Sequence, residues 1–302
     1  MTHAFYQVDV FSAEPFRGNP LAVVCDADGL SEAQMAAFAR WTNLSETTFL
    51  LAPTDALADY RVRIFTPSGE LPFAGHPTLG SCAVWLAQGG RPRQAGCVVQ
   101  QCGIGRVRVR CPSPSQRTGE TASPAGGASA GSTAPAAPIR LAFAAPPLQR
   151  SGELEAPVLQ QIVRALGVLP TDVLASQWLV NGPQWAAVKL DSAERVLALK
   201  PDFSAMGTLK LGVVAPCASG RETAFEVRAF APGLGVPEDP VTGSLQAGLA
   251  QWLIGSGQAP AAYTAAQGTA IGRAGRVHIQ REGDDVWVGG DVSLCITGQV
   301  QV

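Results

Sequence analysis

Two stretches of this sequence have the make-up of an anion site. One reads Leu71-Pro-Phe-Ala-Gly-His-Pro-Thr-Leu-Gly80, the other Val236-Pro-Glu-Asp-Pro-Val-Thr-Gly-Ser244. Each places Pro and Gly directly before an apolar run, Cys82 to Gln88 in the first and Leu245 to Ile254 in the second, which predicts a helix after each turn. A helix start leaves backbone N–H groups unpaired and carries partial positive charge. Glycine there lets a ligand come close to the backbone. Two such starts facing one cleft could bind a carboxylate without any arginine. His76 and Asp239 add an ionisable group to each turn. Read singly, they are N-caps and the glycines are turns. Aligned in a repeat at an offset of 163, they read as a paired site.

The third candidate is Glu46, in Asn43-Leu-Ser-Glu-Thr-Thr-Phe-Leu-Leu51. It opens an apolar, β-branched run that reads as a strand. An exposed strand-end carboxylate is the plain reading. If buried, its pKa rises toward the range useful for acid/base work. At the same offset of 163 its counterpart is Leu209, so the repeat does not demand an acid there. Proton transfer on both faces of a carbon needs two bases, whereas a single acid/base suits moving a proton between positions on one face.

The elements that must carry these groups show an internal duplication. Tyr60-Arg-Val-Arg-Ile-Phe-Thr-Pro67 matches Phe225-Glu-Val-Arg-Ala-Phe-Ala-Pro232, and Gly105-Arg-Val-Arg-Val109 matches Gly275-Arg-Val-His-Ile279, at offsets from 163 to 170 across the chain. Asn19 to Val24 resembles Gly182 to Val188 more faintly, and helices are expected at Ser31 to Trp41 and Ser192 to Leu199. Strands and helices are mixed without the βαβα alternation of a parallel sheet, so two α+β domains with a cleft between them are expected. The first spans 1–111 and the second 139–302, with the final strand free to pack on the first. Residues 112–138, which apart from Gln116, Arg117 and Glu120 are all Pro, Ser, Thr, Gly or Ala, read as a disordered insertion.

Composition narrows the function. The 302 residues carry 22 Lys+Arg, 24 Asp+Glu and a net charge of −2, with no basic block, which argues against nucleic-acid binding. No apolar stretch is long enough to span a membrane, and no charged-then-apolar leader precedes the first strand, so a cytoplasmic protein is expected. Seven scattered cysteines without a CxxC pair read as reduced, mostly buried thiols, and three histidines far apart in sequence show no metal-ligand spacing.

These stretches together resemble the PhzF-like isomerase family of phenazine biosynthesis, over nearly all of the chain outside 112–138. The resemblance is carried by Gln7-Val-Asp-Val-Phe-Ser12 with Gly18-Asn-Pro-Leu-Ala-Val23, by Asn43-Leu-Ser-Glu-Thr-Thr48, by Phe65-Thr-Pro67 with Glu70 and Ala74-Gly-His-Pro-Thr78, and by Arg228, Phe230, Pro232 and Glu238-Asp-Pro-Val-Thr-Gly-Ser244. It implies a diaminopimelate-epimerase-like fold: two pseudo-symmetric domains, each a sheet wrapped around a central helix, with the active site in the cleft. It further implies a homodimer that uses no cofactor and no metal and acts on a small carboxylate. The family's best-known member isomerises trans-2,3-dihydro-3-hydroxyanthranilate. By that resemblance Glu46 is the catalytic acid/base, and Gly75, His76, Asp239, Gly243 and Ser244 bind substrate.

Related epimerases use one cysteine from each half, but the matched turns here hold no thiol, and Cys82 lies inside the apolar run as core. The expected function is a cofactor-independent isomerase working by one-base proton transfer. The alternatives are a non-catalytic binding protein on the same fold and, more weakly, an amino- or hydroxy-acid epimerase, which a second acid/base facing Glu46 would mark.

Overall fold

The computed structural model describes residues 2–112 and 137–302. The expected insertion, 112–138, therefore lies outside the described residues except at its ends.

The first half runs β1 (Thr2–Val10), β2 (Asn19–Val24), α1 (Glu32–Thr42), β3 (Thr47–Leu51), β4 (Tyr60–Thr66), β5 (Gly69–Leu71), α2 (Gly75–Ala87), β6 (Cys97–Cys102), β7 (Gly105–Arg110) and β8 (Ile139–Ala144). The second runs α3 (Ala156–Leu166), β9 (Ala175–Val180), β10 (Gln184–Lys189), α4 (Ala193–Ala198), α5 (Phe203–Met206), β11 (Lys210–Pro216), β12 (Phe225–Ala231), β13 (Val236–Asp239), α6 (Gly243–Gly255), β14 (Ala262–Gln267), β15 (Gly275–Glu282) and β16 (Asp285–Gln301). This is the α+β architecture expected, with α3 an element the sequence reading had not picked out.

The duplication is explicit in the strand pairing. β2–β3 and β4–β6 are parallel and β3–β4, β4–β5 and β6–β7 antiparallel. β10–β11, β12–β14, β11–β12, β12–β13 and β14–β15 repeat the same directions in the same order. In the first half β1-β2-β3-β4-β6-β7-β8-β16 closes into a ring, because β16 also pairs with β1. α2 runs through it and packs against every one of those strands. The second ring follows β16-β15-β14-β12-β11-β10-β9 around α6. The chain after β8 completes it: Ala145 N–H donates to Val286 O, Gln149 N–H to Val180 O, and Trp178 N–H to Gly152 O.

Both central helices are apolar on every side, as a helix enclosed by a sheet must be. From Gly75 to Val84 every residue of α2 is buried, and α6 is buried from Gly243 to Ala250. Cys82 is fully buried in the core around α2, as expected. No disulfide joins the seven cysteines; Cys25 and Cys82 are buried and the other five are half-buried, fewer fully buried than expected.

Each helix starts earlier than its apolar run: α2 at Gly75 rather than Cys82, α6 at Gly243 rather than Leu245. Gly-His-Pro-Thr reads as a turn, yet Pro77 falls in the first helical turn, where no N–H is needed for the intrahelical ladder.

Candidate active site

The two helix starts meet end to end. A Cβ placed on Gly75 would lie 2.5 Å from Gly243 Cα, and one placed on Gly243 would lie 2.8 Å from Gly75 Cα. Only glycine permits that approach, because the obstructing atoms are backbone and cannot swing away. Neither helix has a side-chain cap: the N-caps are Ala74 and Thr242, without side-chain bonds to the first turn. His76 and Asp239 are therefore not caps. The first turns of both helices border a pocket that Glu46, Gly75, His76, Asp239, Gly243 and Ser244 all line, with Trp185 and Lys210 joining them from β10 and β11. All six sequence-predicted residues thus converge on one pocket between the halves.

Glu46 reaches it from the short connection between α1 and β3. Asn43 ends α1 in the left-handed region, at φ 54°, which turns the chain sharply. Ser45 Oγ then donates to Asn19 Oδ1 at 3.3 Å. The Glu46 side chain is only 12% exposed, and its Oε2 has no hydrogen-bond partner. Burial, and secondarily the nearby Asp239 carboxylate, push its pKa from 4.5 up to about 8. At neutral pH it holds its proton.

His76 Nε2 lies 3.4 Å from Glu46 Oε2 without the alignment of a hydrogen bond, and both atoms are buried and unpaired. Burial holds the His76 pKa down to about 3, so the ring is neutral. Its tautomer follows from its neighbour. Asn19 Nδ2 donates to Asp239 Oδ1 at 2.8 Å and to Val241 O at 2.9 Å, which fixes the amide orientation. That same nitrogen lies 3.3 Å from His76 Nδ1. Two N–H groups cannot face each other, so Nδ1 is the bare nitrogen and Nε2, the nitrogen on the Glu46 side, carries the proton.

Asp239 is held differently. Oδ1 accepts from Asn19, Oδ2 accepts from Thr242 Oγ1 at 2.5 Å, and Gln267 Nε2 braces both Asp239 O and Thr242 Oγ1. Burial raises its pKa while the Thr242 and Asn19 bonds oppose the rise. Ser244 is anchored too: its Oγ accepts from Trp185 Nε1 at 3.1 Å and its carbonyl from Asn181 Nδ2 at 2.9 Å.

The registers correct two matches made in the sequence. Ile64 pairs with Leu71 where its repeat mate Ala229 pairs with Asp239, so the counterpart of Asp239 is Leu71, not His76. His76 instead corresponds to Ser244, the second residue of each central helix. Likewise Thr47 lies opposite Phe65 where Leu211 lies opposite Phe230, so the mate of Glu46 is Lys210 rather than Leu209. The offset drifts by a few residues at turns of unequal length, and letters matched at constant spacing go astray there.

Lys210, Asn19, Thr242, Gln267 and Trp185 were assigned no role from sequence. Strand register would have exposed Lys210, one of three lysines in the chain. Asn19, 220 residues from Asp239, gave no local signal.

Comparison with known proteins gives the family and the fold. Residues 8–298 match the PhzC-PhzF family, described as phenazine biosynthesis-like protein. The chain is 33% identical to the trans-2,3-dihydro-3-hydroxyanthranilate isomerase of Pseudomonas aeruginosa, over 93% of this chain and 91% of that one. It is 35% identical to antisense-enhancing sequence 1 of Schizosaccharomyces pombe, over 98% of both. Its fold superposes on the solved structure of a predicted epimerase from Pseudomonas aeruginosa with a TM-score of 0.76, at 26% identity and over 99% of both chains.

Proposed function

The chain belongs to the PhzC-PhzF family of phenazine biosynthesis-like proteins, and from that premise we propose that it is an isomerase moving a proton within a small carboxylate by one acid/base, Glu46. The observation that carries this reading is the buried Glu46 carboxyl, its Oε2 without a hydrogen-bond partner, beside the meeting point of two helix starts that have no side-chain cap. The substrate carboxylate accepts N–H bonds from those starts. Protonated Glu46 delivers its proton to one carbon of an unsaturated system. The resulting carboxylate, steadied by the His76 Nε2–H and the Lys210 charge, then takes a proton from another carbon on the same face. Asp239, held by Asn19 and Thr242 through one bond to each oxygen, stays fixed and accepts from a substrate hydroxyl or amine on a remaining lone pair. The substrate is a small unsaturated carboxylate, the broad class to which that of the Pseudomonas relative belongs, and the assembly is a homodimer without a cofactor.

The test is turnover of trans-2,3-dihydro-3-hydroxyanthranilate and other small cyclic carboxylates in D2O. Deuterium at carbon in the product, lost in Glu46→Gln, is the expected result; exchange at the wild-type rate in that variant rejects Glu46. A binding protein on the same fold is the second reading, favoured by the fission-yeast relative, whose name denotes no isomerase. Tight ligand binding with no deuterium exchange would select it.

A further inference from the structure

Among the described residues, Lys210 is the one cationic side chain lining the pocket. It opens β11 at the position equivalent to Glu46, so the two look into the cleft from opposite halves. Its strand neighbour is Trp185, across the β10–β11 pair. The indole N–H of Trp185 is tied to Ser244 Oγ in the first turn of α6. Trp185 therefore stands between the helix start and Lys210.

Elsewhere in the chain a buried cation has its counter-ion. Arg228 is bonded to both Glu238 oxygens at 2.9 and 2.7 Å. Lys210 is half-buried, yet among the described residues no carboxylate lies within 4 Å of its ammonium and no side chain bonds it. Its nearest electrostatic partner is Glu46, which holds its own proton at neutral pH. An ammonium taken partly out of water without a counter-ion is costly to keep. One that borders a ligand pocket is matched when the ligand supplies the anion.

We propose that Lys210 forms a second anion subsite, and that the substrates of this site are small molecules with two carboxylates, one on the paired helix starts and one beyond Trp185 on Lys210. The proposal rests on the pocket being the substrate site and deepens that reading. It makes Lys210 a determinant of which carboxylates bind. A lysine serving only as counter-ion to Glu46 would treat mono- and dicarboxylates alike.

The experiment is calorimetric titration of the full chain with benzoate, phthalate, isophthalate and terephthalate, repeated on Lys210→Met, Lys210→Gln and Glu46→Gln. In the wild type at least one of the three dicarboxylates is expected to bind tenfold or more tightly than benzoate. Both Lys210 variants should bring that ratio within twofold of unity, and Glu46→Gln should retain it. Equal binding of all four probes by the wild type, or a preference that survives in the folded Lys210 variants, overturns the subsite. So does loss of deuterium exchange in Lys210→Met with the preference intact, which makes Lys210 a second acid/base instead. Failure of the isomerase reading looks different: exchange is absent while the Lys210-dependent preference persists.

Discussion

The two halves share one strand plan but treat their charges in opposite ways. In the second half, Arg228 and Glu238 form an ion pair with side chains 7% and 9% exposed, and Arg228 Nη1 also donates to Val196 O and Leu199 O at the end of α4. The equivalent first-half pair, Arg63 with Glu70, is 21% and 36% exposed and shares Arg63 with the exposed Glu32. At the cleft the contrast reverses. The second half presents Asp239 with both oxygens engaged, while the first presents Glu46 Oε2 and His76 Nε2 with none. Lys210 apart, the second half meets the cleft with a carboxylate held by its partners, and the first with an acid and an imidazole that a substrate can complete. A symmetric fold thus supports asymmetric chemistry, because symmetry fixes where side chains stand and not what they are.

The sharpest way to break this contrast is Glu46→Gln. It removes a carboxyl whose Oε2 has no partner at the cleft and should lower turnover by about a thousandfold or more, within the 10²–10⁴ range of acid/base catalysis and its loss of proton delivery. The unfolding temperature should hold or rise, since a buried acid becomes a neutral amide; a parallel drop in both would undo the assignment.

Next in size is the pair Arg228→Met and Arg63→Met. The first leaves Glu238 buried and uncompensated and should cost about 3–5 kcal/mol. The second touches a solvated pair and should cost about 0–1 kcal/mol. Equal costs in urea denaturation would erase the distinction between the two halves.

Gly75→Ala and Gly243→Ala probe the contact where the halves meet. Each Cβ would press on the other half's backbone, so each should cost about 1–3 kcal/mol, and similar amounts because the contact is reciprocal. A neutral effect of either, by thermal unfolding, would mean that the helix starts can part freely.

The smallest effects are in pH. The folded Glu46 titrates at about 8 against 4.5 unfolded, so the folded state holds the extra proton across that window and its stability falls as pH rises through it. The folded His76 titrates at about 3 against 6.5, so stability falls as pH drops from 6.5 toward 3. Glu46→Gln should flatten the upper slope and His76→Asn the lower, in denaturation midpoints at pH 4, 6 and 8. Turnover should decline above about pH 8, as Glu46 loses the proton it delivers.

Much of this site was legible because its parts are local. Pro and Gly ahead of an apolar run mark each helix start, and a lone acid opening a strand marks Glu46. The rest depended on distances the sequence does not carry. Asn19 meets Asp239 across 220 residues, and its bonds set the His76 tautomer. Lys210 surfaced only once strand register replaced constant spacing. The helix boundaries were missed for a chemical reason: glycine and proline are poor helix formers in the interior but tolerated in the first turn. The Ala156–Leu166 helix was overlooked despite its Glu155-Ala-Pro157 start and Gly167 end.

β16 has a consequence for how the molecule comes into being. It pairs with β1 from Val292 to Gln301 and also closes the second ring through β8 and β15. The strand made first thus waits for the strand made last. At about 5–20 residues per second of synthesis, β1 spends roughly 15–60 s without its partner. Neither ring can close before β16 is made, so both should seal late, the second through the start of β16 and the first through its end.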